Sequence, residues 1–530
     1  MKSEKKRSLS SIAGIVGIAT LISKVVGLVR EQIVAAAFGV GAVANAYAYA
    51  YVIPGFLLIL LGGINGPFHS ALVSVLAKRE QKDSAPLIET VTTLVTTVLL
   101  IVTIILIIYA SAFIDLLAPG LDAQVRDIAI LQFRVMAPLA IFAGLVGIGF
   151  GSLNASDQYW LPSLSPLFSS LTIILGVGGL YWYLGNSINE PEYLQLGGFI
   201  LAITTLAGGV WQWLAQQISQ VKSGISGFRL RFDWGREGVN DIMKVMIPAT
   251  LSSGMLHINV YTDLFFASYL ENAAAAMRYA NFIVLTPVGI ISNVILVPFL
   301  PIFSRLTAPE NWLELKDKIR QGLVLSALTM LPFTAIFCAL SEPIVKIIYQ
   351  RGVFQSDASA IVSPVLVAYG LGMFFYLARD VLVRVFYALG DGQTPFKISI
   401  LNIFLNAVLD YFLVKYFAIQ GLVFATIGVN IFSIIIMIYV LNLRLNGLPL
   451  LQWTKIFVSL TGASIIAAFS AWGINQLTLS LWGNANFILQ LLNLVFASGG
   501  ALVIFLLFGK LLNLPEIEIL SSRILSKIKR

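Results

Sequence analysis

Ser23-Lys24-Val25-Val26-Gly27-Leu28-Val29-Arg30-Glu31 lies inside an apolar stretch that runs from residue 9 to residue 38, and three charges held in such a stretch decide how the chain reads. A bilayer core about 30 Å thick takes about 20 apolar residues in helix, so the stretch is long enough to cross it. A charge at bilayer depth costs roughly 2.5 to 3.5 kcal/mol on insertion scales, and charges that are retained face a cavity or a partner. Lys24 and Glu31 are seven residues apart and fall on nearly one helical face, whereas Arg30 points elsewhere. One reading is a cationic wall that holds a phosphate or pyrophosphate, since Lys and Arg both bind phosphate oxygens strongly once water is excluded. The other is a snorkelling lysine beside an Arg/Glu pair that locks two helices.

The rest of the chain agrees with a membrane setting. Its 530 residues are 58% hydrophobic and 11% charged, against roughly a quarter charged in soluble globular domains. The net charge of +8 is spread over short loops between apolar runs and forms no single patch or tail, which argues against nucleic acid as a partner. The first apolar stretch exceeds the roughly 7 to 15 residues of a signal-peptide core and reads as a retained span.

Charge, Pro and Gly interruptions divide the chain into about fourteen spans, near 9–38, 42–68, 86–115, 127–153, 161–184, 194–220, 241–270, 273–303, 319–348, 358–388, 394–416, 419–443, 454–477 and 486–510. Loops after even-numbered spans carry the cations, among them Lys78, Arg79, Lys222, Arg229, Arg231, Arg236 and Arg305, with Lys527 and Arg530 in the tail. The positive-inside rule places these, and both termini, in the cytoplasm. Laying the first two spans on the seventh and eighth sets Arg30 against Asp263, Asn45 against Arg278 and Pro54 against Pro287. Such a repeat implies two six-span lobes, 1–220 and 221–445, with 446–530 adding two further helices and a basic tail.

Other intramembrane polar groups are few. Asp263 is a candidate for a coupling cation or for a pair with Arg30 across the lobes, Arg278 for the outer end of the substrate site, and His257, with His69 a weaker case, for packing or cavity lining rather than for carrying a proton. Arg379, Asp380 and Arg384 cluster in the tenth span, ahead of Gly390-Asp391-Gly392-Gln393-Thr394-Pro395. In that turn, Thr394 is the expected N-cap and Pro395 the expected first helical residue. Pro54, Pro138, Pro248, Pro287, Pro332 and Pro364 mark expected kinks. No phosphate-loop motif occurs, Cys338 is the single cysteine, and there are two histidines, so no cofactor or metal site is expected and no enzyme activity is assigned.

Four segments carry a resemblance. Ile22 to Glu31 followed by Ala37-Phe38-Gly39-Val40-Gly41, Pro67-Phe68-His69-Ser70 to Ala77, Gln350-Arg351-Gly352-Val353-Phe354, and Arg384 to Asp391 with Thr394-Pro395 resemble the MurJ/MviN family of lipid-precursor flippases. The stretch Ile53 to Ala77 is similar to cyanobacterial members. The resemblance implies the multidrug/oligosaccharidyl-lipid/polysaccharide exporter fold: two six-helix lobes around a central cavity, and two C-terminal helices forming a groove for a polyprenyl tail. It carries over Lys24, Arg30 and Glu31 as substrate-binding residues. This chain departs from the family's charges at Asn45, Leu58, Asn281, Phe282 and Leu285.

The implied function is alternating-access transfer of lipid-linked peptidoglycan precursor to the outer leaflet of the inner membrane. The implied partners are the polyprenyl-diphosphate-linked disaccharide-peptide, membrane lipids, a coupling cation and cell-wall synthesis proteins. A cation-coupled exporter of another lipid-linked glycan or small amphiphile, and a non-transporting scaffold, are the alternatives.

Overall fold

The computed structural model describes residues 9–62, 67–76, 81–227, 229–255, 258–512 and 516. His257 lies outside them. In chain order the helices are α1 Leu9–Phe38, α2 Ala42–Ala50, α3 Val52–Gly62, α4 Pro67–Leu76, α5 Gln81–Ile108, α6 Ala110–Leu117, α7 Ala123–Met136, α8 Leu139–Ala155, α9 Trp160–Leu164 and α10 Pro166–Leu184. There follow α11 Leu194–Lys222, α12 Val239–Met255, α13 Ile258–Ala267, α14 Ala273–Arg305, α15 Trp312–Tyr349, α16 Ser356–Ala388, α17 Gln393–Arg444, α18 Leu450–Trp482 and α19 Phe487–Leu511. Among the described residues there is no strand.

The expected spans fall on these helices, singly or in succession, with residues 63–66 of the second and 256–257 of the seventh outside the described residues. Among the described residues nine helices are long and apolar enough to cross a membrane, and α2 with α3 and α7 with α8 add two bent spans. Within α17 the chain turns at Ala418 (φ 47°, ψ −127°), between the eleventh and twelfth expected spans. That turn is tight: a Cβ on Gly421 would stand 2.4 Å from the Leu413 carbonyl oxygen. The charged α1 and the pair α12–α13 complete the set.

Proline accounts for most of the bends. α2 and α3 meet at 45° around Tyr51, because Pro54 cannot donate to the Ala50 carbonyl and its ring crowds that oxygen. Pro138 separates α7 from α8 at 41° in the same way. In α15 the non-helical residue is Leu340, three positions before Pro343, so Pro343 rather than Pro332 sets the irregularity there.

The described chain packs as two units. The first comprises residues 1–275 with Arg351–Gln355, the second Ala276–Gln350 with Ser356–Arg530. In the first, α8 is the hub, packed by α3, α4, α5 and α11. Its sequence has four glycines and is buried on nearly every side, as a helix enclosed by other helices must be. Gln212, Gln216 and Gln220 form a stripe on α11 that bonds Ser165 and Ser152 at 3.2, 3.0 and 2.5 Å, gluing α11 to its neighbours. In the second unit α15 is the central helix, packed by α16, α18 and α19.

Two polar clamps hold connections outside the apolar bodies. Glu89, 5% exposed near the start of α5, accepts from the backbone of Gly227 at 2.9 Å and is ion-paired to Arg231, fixing the segment between α11 and α12. At the start of α17 the N-cap is Gly392, not the expected Thr394, and Pro395 is the third helical residue. Asp391 does the capping: it accepts from the Thr394 amide at 3.0 Å and hydroxyl at 2.8 Å, with Arg444 at 3.1 Å. Partial burial opposes its charge, but the Thr394 donors and Arg444 outweigh it and hold the carboxyl below the usual carboxylate range.

Glu89→Ala is expected to strand the Gly227 amide and Arg231 and to destabilise by about 1.5 to 3 kcal/mol, read as a lower melting temperature and faster tryptic cleavage at Arg229 or Arg236. For Asp391 the depressed pKa means its contribution is complete above the unfolded-state value near 3.9 and is lost as pH falls through the lower folded-state value. The melting-temperature difference between wild type and Asp391→Asn should therefore be constant from pH 7 to about 5 and shrink below about pH 4.

Candidate functional site

The first span supplies the core of the site. Lys24 is half-buried on α1, two turns before Glu31, which is 2% exposed. Arg30 does not point away, as its helical position suggested. Adjacent helix residues do not face one another, yet the long Arg stem swings the guanidinium back. Nε and Nη2 donate to Glu31 Oε1 at 3.1 and 2.8 Å. Arg30 keeps 26% of its side-chain surface exposed. The arrangement suits an anion that meets a positioned cation whose counter-charge is hidden behind it.

The end of α1 is fixed by its own next residue and by two distant segments. Gly39 donates to Ala35 O, Asn189 Nδ2 to Ala37 O at 2.7 Å, and Val353 N to Ala36 O at 2.8 Å, so carbonyls that a helix terminus leaves without partners are satisfied. This explains Arg351-Gly352-Val353-Phe354. Gly352 has φ +58° and a Cβ there would lie 2.4 Å from Ala36 O, while Phe354 is fully buried.

Asn45, where the family pattern has an acid, is buried on α2, and its Oδ1 accepts from Ala275 N at 3.2 Å in the first turn of α14. A neutral amide thus caps a helix start whose dipole favours negative charge. Tyr49, Leu264 and Ala274 pack in one apolar cluster beside it. Asp263 is half-buried on α13, next to Leu264, in the first unit. Arg278 is in the second unit, half-buried on α14, with its guanidinium 5.7 Å from the Tyr279 ring centre. The structure therefore joins Arg30 to Glu31 in one ion pair and places Asp263 and Arg278 in different packing units. Leu285 is exposed, and Leu58 packs against the apolar core around α8. His69 is half-buried, with Nε2 3.0 Å from Asn154 Nδ2, a packing role.

One group was missed from the sequence. Asn402, Asn406 and Asp410 recur every four residues on α17, all buried; Asn406 donates to Asp410 Oδ2 at 2.7 Å and Asn402 to Ser433 Oγ at 2.7 Å. The signal was available, since an acid eight residues after an asparagine in an apolar run marks one polar helical face. Arg379, by contrast, reaches Ser399 at 3.3 Å, a link from α16 to α17.

Arg30→Ala is expected to destabilise by about 1 to 3 kcal/mol, because Glu31 loses a charged hydrogen-bond partner in a buried setting. Arg30→Ala/Glu31→Leu should recover part of that loss in a detergent melting series. Equal melting temperatures for the single and double variants would contradict the coupling.

The profile of the family described as Lipid II flippase MurJ matches residues 34–493. A probable lipid II flippase MurJ of Synechocystis is 59% identical over 527 residues, covering 99% of both chains, in agreement with the cyanobacterial resemblance noted above. A lipid II flippase MurJ of Burkholderia cenocepacia is 27% identical over 478 residues, 87% of this chain and 88% of the relative. Among solved structures, a lipid II flippase MurJ in an inward closed conformation superposes with a TM-score of 0.74 at 21% identity, covering 94% of this chain and 98% of that one. An inward-facing multidrug resistance MATE family transporter of the MOP superfamily superposes at 0.58 with 17% identity, covering 81% and 98%. The fold is thus that of a polytopic transporter, and the chain belongs to the MurJ lipid II flippase family.

Proposed function

We propose that this protein moves lipid II, a polyprenyl-diphosphate-linked disaccharide-peptide, from the cytoplasmic to the outer leaflet of the inner membrane by alternating access. The observation that carries the reading is the pairing on α1: a partly exposed cation held by a buried acid on a membrane-length helix. In the proposal Lys24 and Arg30 hold pyrophosphate oxygens, Glu31 orients Arg30, and Arg278 is a further candidate for binding the headgroup. A headgroup carrying about two negative charges gains roughly 2.3 kcal/mol per charge per 100 mV on moving outward across an inside-negative membrane, so the potential favours export. No bond of the substrate is made or broken in this reading, and the protein acts as a transporter rather than an enzyme.

The two six-helix lobes are proposed as 1–220 and 221–445, with 446–530 serving the polyprenyl tail and both termini in the cytoplasm. The repeat has structural support: Gly39 and Asn272 stand at corresponding positions and both have positive φ, +54° and +57°, at the turn before the next helix. For a coupling cation there are two candidate carboxylates. Asp263 is half-buried; Asp410 is fully buried, with Asn406 Nδ2 donating to its Oδ2. Binding to cell-wall synthesis proteins remains part of the proposal without a surface assigned to it.

Complementation of a bacterium depleted of its own precursor flippase tests the reading. Wild type is expected to restore growth and shape, while Lys24→Ala and Arg30→Ala at matched membrane levels are expected to fail. A well-expressed wild type that does not rescue would redirect the reading to another lipid-linked glycan.

A further inference from the structure

A cavity of about 340 Å³ opens among the C-terminal part of α15, the end of α18 and the start of α19, all within one packing unit. It lies at the small end of the roughly 300 to 1,000 Å³ that small-molecule sites occupy. Its lining departs from the apolar character of the α18–α19 hairpin. Asn475 and Gln476 come from α18, and Gln490 and Asn493 from α19. Amides in a membrane-crossing hairpin are retained against a desolvation cost unless they are bonded.

Part of that polarity builds the turn. Asn486 Oδ1 caps α19 through Leu489 N at 2.9 Å, Gln490 Nε2 reaches Asn484 O at 3.1 Å, and Asn493 Nδ2 reaches Gly483 O at 2.9 Å. One group is left over. Asn493 is 2% exposed and lines the cavity, and its Oδ1 has no hydrogen-bond partner among the described residues. A buried acceptor without a partner is costly, and a donor supplied from the cavity would satisfy it.

Charge then sorts the ligand classes. The charged lining residues are Glu342 and Lys346, which pair with each other at 2.5 Å. A phosphate would find its cation already taken, and a metal ion its carboxylate. Amides both donate and accept, and Trp472, 56% exposed at the rim, offers an apolar ring face. Donors and acceptors around one aromatic plate, with no net charge, match a polyhydroxylated ring that has hydroxyls at its edge and C–H bonds on its face.

We propose that this cavity binds a neutral hexopyranose. The sugar would come either from the headgroup of a glycolipid in the surrounding leaflet or from the glycan of the carried lipid. The loop charges assign this end of the hairpin to the outer face, a point that rests on the proposed topology; binding itself does not depend on the flippase reading.

The test uses the full chain in phosphatidylcholine nanodiscs, with native mass spectrometry counting retained monohexosyl diacylglycerol against diacylglycerol of the same acyl chains. Retention of the hexosyl lipid should exceed that of the sugar-free lipid, and Trp472→Ala and Asn493→Leu should each reduce it by about fivefold or more. Methyl hexopyranoside should compete. Trp472 is exposed, so its variant keeps the test valid if Asn493→Leu does not fold. The same sensitivity to Trp472→Ala seen only with a polyprenyl diphosphate bearing N-acetylhexosamine would support the site and assign the sugar to the carried substrate. Equal retention of sugar-bearing and sugar-free lipids in both the diacylglycerol and the polyprenyl diphosphate series, or retention unchanged by both Trp472→Ala and Gln476→Ala, overturns the proposal. Loss of sugar binding with complementation intact leaves the flippase reading standing, so the two can fail independently.

Discussion

A carboxylate taken almost wholly out of water within a membrane-length helix sets the arrangement of charge in the first span. Glu31 sits at 2% exposure, where an isolated charge would be prohibitive, and Arg30 makes it tolerable with two hydrogen bonds to a single oxygen. The same contact positions Arg30. A guanidinium held by a buried acid has few rotamers left, so its side-chain freedom is already spent in the folded protein.

That helix is in turn held by its surroundings. Asn189 and Val353 cover carbonyls at the end of α1, which fixes where Arg30 stands relative to the first unit. Within the unit, the glycine-rich α8 lets α3 approach until a Cβ at Gly147 would lie 2.0 Å from Leu61 O. Close backbone approach replaces the hydrophobic drive that lipid cannot supply, and the glutamine stripe of α11 adds directional bonds. Proline-centred bends at Tyr51, Pro138 and Leu340 interrupt otherwise stiff rods at points where the backbone has already lost a hydrogen bond.

Much of the architecture was legible from residue order, for a physical reason. Hydropathy and loop charge act along the chain over about 20 residues at a time, so span limits such as those at residues 9–38 and the division of α17 near Ala418 could be read directly. The capping at the start of α17 was misplaced by two to three residues, because Asp391, Thr394 and Pro395 are all competent terminal residues and the bonds from the Thr394 amide and hydroxyl to Asp391 decide among them. Asp410 was overlooked although its spacing from Asn402 and Asn406 was visible.

The sequence by itself determined an all-helical, multi-span transporter with charge concentrated in its first span, since the bilayer demands long apolar helices and makes every retained charge conspicuous. Tertiary structure alone decided which charges meet. The turn of Arg30 onto Glu31, the capping of α14 by Asn45, the clamp of Glu89 on Arg231 and the amide-lined cavity beside Asn493 depend on side-chain reach and on contacts between distant segments. Those are fixed by three-dimensional packing, which helical periodicity does not encode.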